Sequence, residues 1–434
     1  MTRDPIGMAL SAMTRLAASP LLDRLGLRSS VEKTAYHGTR AGFRTIALAG
    51  REFNRVSSWL PRKKLPGKAK PALFDLALDD DQQMIVDTVG RFARDVLREN
   101  AATADEAAAI PADVFESAAE LGLTLYAVPA EFGGVADSIS PTTSVLIAEQ
   151  LAWGDMSLAV ALLAPFSVAQ AISQWGTGEQ QSRYLPAFCE GQPPVATIAV
   201  DEPAPLFDPM MPTSEAVPTQ NGYRLNGVKH CVVLGAQSDL ILVSARLHGT
   251  PRVFIIEGTQ AGIELSAEAT MGLRASQPAR LTLNNVELPQ DALLGDDTFD
   301  YQAFLDQGSL MRCGLAIGTA QAALDYTIPY CNEREAFGEP ISHRQSVAFM
   351  ISNLAIETDS MRLVTWRAAS RAETAQTFHR EACLARVLCN EKAMEIGTNA
   401  VQLLGGHGFV KEHPVERWYR DLRSVAILHG GLHA

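Results

Sequence analysis

The sequence has 434 residues, of which 47% are apolar and 20% charged, a composition typical of a soluble globular protein with two to four domains. Its formal net charge of -12 argues against a general nucleic-acid binder, because affinity for polyphosphate depends on clustered Lys and Arg. The six cysteines show no C-x-x-C spacing, and no secretory signal is evident. We therefore expect reduced thiols in a cytoplasmic protein, and we predict no metal site.

Residues 1–75 form a leader that differs in charge from the rest of the chain. Up to Phe74 the leader has 14 Lys and Arg against 4 Asp and Glu, a balance of +10 that leaves -22 for the remainder. A predicted amphipathic helix carries four of these arginines on one face: Arg40, Arg44, Arg51 and Arg55. Such a helix can bind an anionic membrane surface or an external partner, or dock on the acidic remainder of its own chain. An Arg-rich organellar leader is a third alternative.

Residues 76–191 are predicted to form a helical domain. Apolar residues recur there at intervals of three and four after a run of aspartate caps: Ile85, Val89, Phe92, Ala93 and Val96. The stretch from Met156 to Gly178 has no charged residue, but its second half contains several polar ones. We predict a buried core helix here, because a lipid-exposed span needs about 20 mainly apolar residues.

The sequence pattern changes twice more. Between residues 192 and 301, short apolar runs alternate with Gly, Pro, Asn and Asp, which predicts a β domain built as a sandwich or barrel. Long helical patterns return over residues 302–434, including Ser346 to Ala369 and Arg380 to Leu404. The predicted fold class is therefore α+β, with a helical domain, a β domain, a second helical domain and the basic helical leader.

Four local motifs follow one another in the second half of the chain. They are Met271-Gly-Leu-Arg274 with the strand from Leu281 to Pro289, Asn332-Glu-Arg-Glu-Ala-Phe-Gly-Glu-Pro-Ile341, Gln402-Leu-Leu-Gly-Gly-His-Gly-Phe409 and Pro414-Val-Glu-Arg-Trp-Tyr-Arg-Asp421. In order and spacing they resemble the acyl-CoA dehydrogenase family over about Leu76 to Gly430. The resemblance implies an acyl-CoA dehydrogenase-like fold whose C-terminal domain is a four-helix-type bundle. It also implies FAD as cofactor, an acyl-CoA substrate, a homo- or hetero-oligomer and electron transfer to an electron-transfer flavoprotein.

The resemblance assigns roles to individual residues. Arg334 is the expected ligand of the FAD pyrophosphate, since a guanidinium offers a fork of donors to phosphate oxygens. Gly405 and Gly406 allow close approach of backbone to a nucleotide, and Gln402 can bond to adenine. In the family such groups reach across a dimer interface. The remaining assignments are Phe337, Gln345, Val200 and Asp201 to the cofactor and Arg274 to the substrate.

The chain departs from the family pattern at the reacting groups. The family's usual base is a Glu in a terminal motif that corresponds here to Leu428–Gly431, so that His429 takes the place of the Glu. The position from which some members supply a Glu instead is Gly308. The flavin and CoA cradle is altered as well, at Asp201, Phe207, Cys231 and Val233.

Three functions are compatible with this pattern. The first is α,β-dehydrogenation of an acyl-CoA with His429 as the catalytic base, since a neutral imidazole is a competent base near pH 7. The second is a catalytically degenerate subunit that completes the FAD site of an active homologous partner, because the residues donated across the interface are retained. The third is a flavin-dependent monooxygenase of the same fold.

Overall fold

The computed structural model describes residues 77–136 and 139–428, which belong to one compact unit. The leader, residues 1–75, lies outside the described residues. Its membrane, docking and organellar alternatives therefore stay predictions, as does the cytoplasmic location. The predicted fold class is confirmed for the described part of the chain, which has a helical domain, a β domain and a second helical domain.

The first domain is formed by helices α1 to α6. Asp79 begins α1 with a capping box, because its side chain accepts from the Gln82 N–H while the Gln82 side chain accepts from the Asp79 N–H. A π-helical turn over Ala93–Leu97 joins α1 to α2. The helices are α1 (Asp80–Phe92), α2 (Arg98–Ala107), α3 (Ala112–Leu121), α4 (Pro141–Gly154), α5 (Met156–Trp175) and α6 (Gly178–Tyr184).

Helix α5 is long and apolar enough to cross a membrane by length and composition. However, 83% of its most apolar window is buried within the protein. The prediction of a core helix is therefore confirmed. Asp155 begins this helix, and its carboxylate accepts from the Leu158 N–H.

The β domain is one curled, mixed sheet of seven strands. Strand β4 is its centre: it pairs in parallel with β1 at its start and with β2 at its end, and antiparallel with β5. The sheet continues from β2 through β3 and β7 to β6. The strands are β1 (Ala196–Ala199), β2 (Glu215–Thr219), β3 (Gly222–Val232), β4 (Leu240–Leu247), β5 (Thr250–Glu257), β6 (Ile263–Ala267) and β7 (Ala279–Pro289).

The C-terminal domain is a bundle of four helices, as predicted. A short hairpin between α7 and α8 is formed by β8 (Glu335–Ala336) and β9 (Glu339–Pro340). It contains most of the predicted motif Asn332–Ile341. The helices are α7 (Tyr301–Glu333), α8 (Gln345–Glu373), α9 (His379–Leu404) and α10 (Val415–Val425).

The two helical domains share one continuous hydrophobic core, whereas the sheet encloses a second core of its own. Helix α7 packs against α4 and α5 of the first domain as well as against its own bundle. The β domain meets this shared core along β1 and the short helix Arg274–Ser276, both of which contact α5. All three domains therefore converge around α5 and α7.

Candidate active site

A cavity lies where α5, the edge of the β domain and α7 meet. Its lining is mostly apolar, and its polar groups come from α5, the β domain, α7 and the end of α10. Residues from all three domains line it, including Val160, Leu163, Gln170, Thr197, Val200, Asp201, His230, Cys231, Val233, Leu273, Gly308, Met311, Arg312, Leu315, Ser424 and Leu428. Val200, Asp201 and Gly308, three positions singled out from the sequence, thus line one cavity.

A buried ion pair fixes the backbone beside Val200 and Asp201. Lys229 on β3 is fully buried, and its Nζ donates to Glu202 at 2.8 Å, to the Val200 carbonyl at 3.1 Å and to Ser244 at 3.0 Å. Burial alone would raise the pKa of Glu202, but the Lys229 charge and several hydrogen bonds lower it to about 2. The pair therefore holds the wall of the cavity from behind.

A bulge near the end of β3 turns two neighbouring side chains into the cavity. Cys231 has φ +51°, and the register of β3 with β7 shifts between Lys229 and Val232. His230 and Cys231 consequently both line the cavity, whereas successive side chains of a regular strand point to opposite faces. Burial, with the charges of Glu268 and Asp201, raises the pKa of the Cys231 thiol to about 11.

His230, Cys231 and Glu268 bring potential metal-ligand atoms within 4.8 Å of one another, although the sequence predicts no metal site. The Glu268 carboxylate is already engaged. It accepts from the Cys231 N–H at 2.7 Å and pairs with Arg280 at 3.3 Å. The Cys231 thiol is also protonated near neutral pH, because its pKa is raised. Both features favour a hydrogen-bonded arrangement over a preformed metal site.

One face of α7 presents both a gap and a cation to the cavity. At Gly308 an added Cβ would meet no atom of the described residues within 4 Å, so the helix leaves open space there. One turn further on, Arg312 donates from Nη1 to the Leu428 carbonyl at 2.9 Å and from Nη2 to Ser309 at 3.0 Å. Its Nε has almost no contact with solvent and no hydrogen-bond partner among the residues that the structure describes. Burial lowers the pKa of this guanidinium to about 10, and the Asp201 charge opposes the decrease.

Sequence reasoning did not single out Arg312. The available signal was an arginine inside the otherwise uncharged run from Gln307 to Leu324. Such a residue is expected on a polar helix face unless the fold encloses it, and the enclosing groups come from Leu428, more than a hundred residues away. The tertiary structure was needed to identify it.

The P-V-E-R-x-x-R-D motif lies on α10 and contacts the first domain through buried charges. Arg417 Nε donates to Asp155 at 3.0 Å, and both side chains are nearly inaccessible to solvent. Beside this pair, the Arg98 guanidinium lies between the rings of Trp153 and Trp418, at 4.4 and 4.7 Å from their centroids. Helix α10 is thereby joined to α2, α4 and the start of α5.

The same motif also contacts α2 through Arg420 and the β domain through Asp421. Arg420 makes a two-pronged contact with Asp105 at 2.7 and 2.9 Å, and Asp421 accepts from the Leu273 N–H at 2.7 Å. Burial raises the pKa of Asp421 to about 8. Leu428 follows α10 and lines the cavity, whereas His429 lies outside the described residues. The contacts of α10 therefore determine the position of Leu428, the last described residue of this segment.

The other predicted cofactor residues lie on a surface away from the cavity. We call this set, all of whose members are solvent-exposed, the donor surface. Arg334 makes no ion pair with any described residue, and Phe337 is 96% exposed with φ +57°. None of the set lines the cavity. Its members are Arg334, Phe337, Gln345, Gln402, Gly405 and Gly406.

Two contacts bring the motifs of the donor surface together. Tyr330, one turn before Arg334, shares a hydrogen bond of 2.7 Å with His407 in the turn that follows α9. His407 stacks on His413 at 5.3 Å between ring centroids. Gly405 has φ +59° and ψ -130°, a conformation restricted to glycine, and added Cβ atoms at Gly405 and Gly406 would meet nothing within 4 Å. The turn is thus open to a ligand.

Two further residues singled out from the sequence, Arg274 and Phe207, do not line the cavity. Arg274 is half-buried and lies near enough to Asp105 to lower the pKa of that carboxyl, together with Arg420, but it does not line the cavity. Phe207 is 8% exposed and packs in the core shared by the helical domains, so it does not fill the cavity. The cavity is therefore open despite the large side chain at position 207.

Comparison with known proteins agrees with this architecture. Models of the acyl-CoA dehydrogenase N-terminal, middle and C-terminal domains match residues 79–192, 197–286 and 300–432. The short-chain specific acyl-CoA dehydrogenase of Bos taurus mitochondria is 31% identical over 81% of this chain and 87% of its own length. The chain belongs to the acyl-CoA dehydrogenase family.

Solved structures give the same result. The butyryl-CoA dehydrogenase of Megasphaera elsdenii superposes with a TM-score of 0.76 at 27% identity, covering 83% of this chain and 97% of that protein. A structure described as an electron transferring flavoprotein of Acidaminococcus fermentans also has a TM-score of 0.76, at 29% identity, and covers 83% and 96%. The likeness extends through all three domains.

The buried pair behind the cavity wall leads to a stability prediction. Replacing Lys229 with Met leaves Glu202 buried without its counter-ion, and we expect the free energy of unfolding to fall by about 3–5 kcal/mol. Adding Glu202→Gln should recover much of this loss, because no charge is then left unpaired. Urea denaturation of the three proteins measures the effect.

Arg224→Met is the matched control, since Arg224 and Glu287 form an exposed pair worth at most about 1 kcal/mol. The low pKa of Glu202 adds a pH dependence: the pair stabilises the fold fully above about pH 4.5 and progressively less as the pH falls toward 2. A Lys229→Met protein as stable as wild type at pH 7 would contradict this account of the cavity wall.

Proposed function

We propose that this protein is an FAD-dependent acyl-CoA dehydrogenase, which removes hydrogen from the α and β carbons of an acyl-CoA thioester. The observation that carries the proposal is the convergence of distant positions on one cavity. Asp201 from the β domain, Gly308 from α7 and Leu428, which immediately precedes His429, all line it. In the family, the position of Asp201 lies beside the flavin ring and that of Gly308 is the alternative base. The terminal base corresponds to His429, the residue after Leu428.

FAD is the cofactor of this family, and the described residues fit it. A flavin ring is flat and largely apolar with a polar edge, and the cavity has a mostly apolar lining interrupted by a few polar groups. The pyrophosphate and adenine require cationic and small residues, which the donor surface supplies as Arg334, Gly405 and Gly406. When bound, FAD supplies the acceptor for the β hydride.

The chain's own residues then have to remove the α proton. An α C–H beside a thioester is a weak acid, so proton removal requires a positioned base. Asp155, Asp105 and Leu273 hold α10 through its polar residues, and these contacts support the position of Leu428, the last described residue before His429. We assign His429 as the base, because the chain has no carboxylate at Gly308.

The donor surface lies outside the cavity, which favours an oligomer. A second subunit would bring its Arg334 and Gln402 to the cofactor of the first. The outer face of the bundle carries exposed apolar side chains suited to such an interface, at seven-residue intervals on α8 and close together on α9: Phe349, Ile356, Leu363, Leu384 and Val387. A homo-oligomer satisfies these requirements, and electron-transfer flavoprotein is the proposed acceptor, as one of the similar structures is named for such a protein.

The visible spectrum and reducibility of the purified chain test the proposed function. We expect one flavin per chain and bleaching of its absorbance when an acyl-CoA is added without oxygen. Colourless protein that gains flavin only with a homologous partner would support the degenerate-subunit alternative instead. Bound flavin that no acyl-CoA bleaches, but that consumes oxygen with a reduced nicotinamide cofactor, would support the monooxygenase alternative.

The base can be tested by moving it. His429→Ala should slow anaerobic flavin reduction by about 100-fold or more, because general base catalysis is lost. Adding Gly308→Glu should raise the rate of flavin reduction of the His429→Ala protein by at least about 10-fold. The open space at Gly308 admits a carboxylate, and Arg312, one turn away, keeps it ionised. Single-turnover stopped-flow absorbance measures both rates.

Gly308→Gln in the same background is the matched control, because it adds the same bulk without a base. Equal rates for the Gln and Glu variants would rule out a proton-transfer role at this position. An unchanged rate in His429→Ala would remove His429 as the base.

Mixed oligomers test donation across the interface. Arg334→Met should lose flavin binding, and His429→Ala should keep flavin but lose activity. When both chains are co-expressed, each mixed pair should contain one complete site. That site combines the cavity of the Arg334→Met chain with Arg334 of the His429→Ala chain. Half the wild-type activity per mixed pair is expected.

Arg344→Met serves as the control, because Arg344 already pairs with Glu339 at 3.0 Å and should be dispensable for flavin binding. Purified mixed oligomers with no activity above that of either parent would contradict donation by Arg334.

A further inference from the structure

Arg312 is the group in the cavity for which the proposed dehydrogenation has no use. Among the described residues that line the cavity, it is the only Lys or Arg. The wall around it is largely apolar, with Met311 and Leu315 on the same helix and Val160 and Leu163 on α5. A guanidinium in such surroundings has lost much of its hydration, which makes an unpaired charge costly there.

The hydrogen bonds of Arg312 do not compensate for this cost. A guanidinium has five N–H donors, and the described residues account for two of them, through the neutral acceptors Leu428 O and Ser309 Oγ. The Nε–H is enclosed and has no hydrogen-bond partner among the described residues. Within the described part of the chain, the guanidinium therefore has unused donors.

No carboxylate of the described residues forms an ion pair with Arg312. Asp201 also lines the cavity, and its negative charge acts on Arg312 only from beyond ion-pair distance. A ligand carboxylate would offer two oxygens to the guanidinium fork, which is the geometry that arginine matches best. An anionic group on a ligand is therefore a suitable partner for Arg312.

We infer that Arg312 binds a carboxylate on the acyl group, so that the substrate is the CoA thioester of a dicarboxylic acid. The inference rests on the proposed function, because the acyl group has to occupy this cavity. Arg312 lies one helical turn, about 6 Å, from Gly308, the position that faces the reacting carbons when it carries the base. The carboxylate therefore lies along the acyl chain, away from the thioester.

Pairs of substrates with the same chain length test this directly. The CoA thioesters of monocarboxylic acids and of dicarboxylic acids, with acyl groups of four to eight carbons, are compared in anaerobic flavin reduction. Only the thioesters of dicarboxylic acids carry a free carboxylate. The corresponding α,β-unsaturated products, which cannot be dehydrogenated again at these carbons, are compared in equilibrium binding by calorimetry. For at least one chain length we expect the carboxylated member to be preferred by about 10- to 100-fold in kcat/KM and in affinity.

Variants then assign the preference to the guanidinium. Arg312→Met should lower kcat/KM and affinity for the carboxylated member by about 10- to 100-fold more than those for the neutral member, which removes the preference. Arg312→Lys should retain part of the preference, since it keeps the charge but loses the fork. Arg224→Met, an equal change at an exposed ion pair of β3, should alter neither substrate.

Two results would overturn the inference while leaving the proposed function intact. One is a wild-type protein that prefers the neutral thioester at every length. The other is an Arg312→Met protein that is folded by thermal melting but loses both substrates equally, which would make Arg312 a support for the Leu428 turn or for the cofactor. If neither kind of thioester binds or bleaches the flavin, the proposed function fails as well.

Discussion

Helix α10 is held by three buried polar contacts, and the geometry of the cavity depends on them. Arg417 pairs with Asp155, Arg420 with Asp105, and Asp421 accepts from the Leu273 N–H. The first two reach the N-terminal domain and the third reaches the β domain, so one short helix joins all three domains. Such contacts are costly to form without matched partners, and they therefore specify one docking position. Leu428 and the approach to His429 follow directly from that position.

The groups suited to a flavin are divided between two surfaces of one chain. The cavity carries Asp201, the bulge at Cys231 and the open helix face at Gly308, whereas the donor surface carries Arg334 and the Gly405–Gly406 turn. Under the proposed function, a single subunit presents half of each of two sites. This division accounts for an Arg334 that is exposed and makes no ion pair with any described residue.

The sequence predicted those features whose physical cause is local. The helices over Ser346–Ala369 and Arg380–Leu404 were placed within four residues at each end, because their apolar periodicity extends over many turns. Strands β2 and β6 show no apolar run that could predict them, since β2 contains Pro218 and β6 is mostly exposed. The site divides in the same way. Glycine and arginine motifs predict the nucleotide-binding residues from local sequence alone. Arg312, in contrast, is recognised only from its contact with Leu428, which is distant in the sequence.

The central claim is that a complete site combines the cavity of one chain with the donor surface of another. A crystal or cryo-EM structure of the purified protein with bound FAD tests it most directly. The account predicts the flavin ring in the cavity between Asp201 and the face of α7 that carries Gly308, with the pyrophosphate on Arg334 of a second subunit. A pyrophosphate bound only by residues of the same chain, or a ring bound outside this cavity, would contradict it.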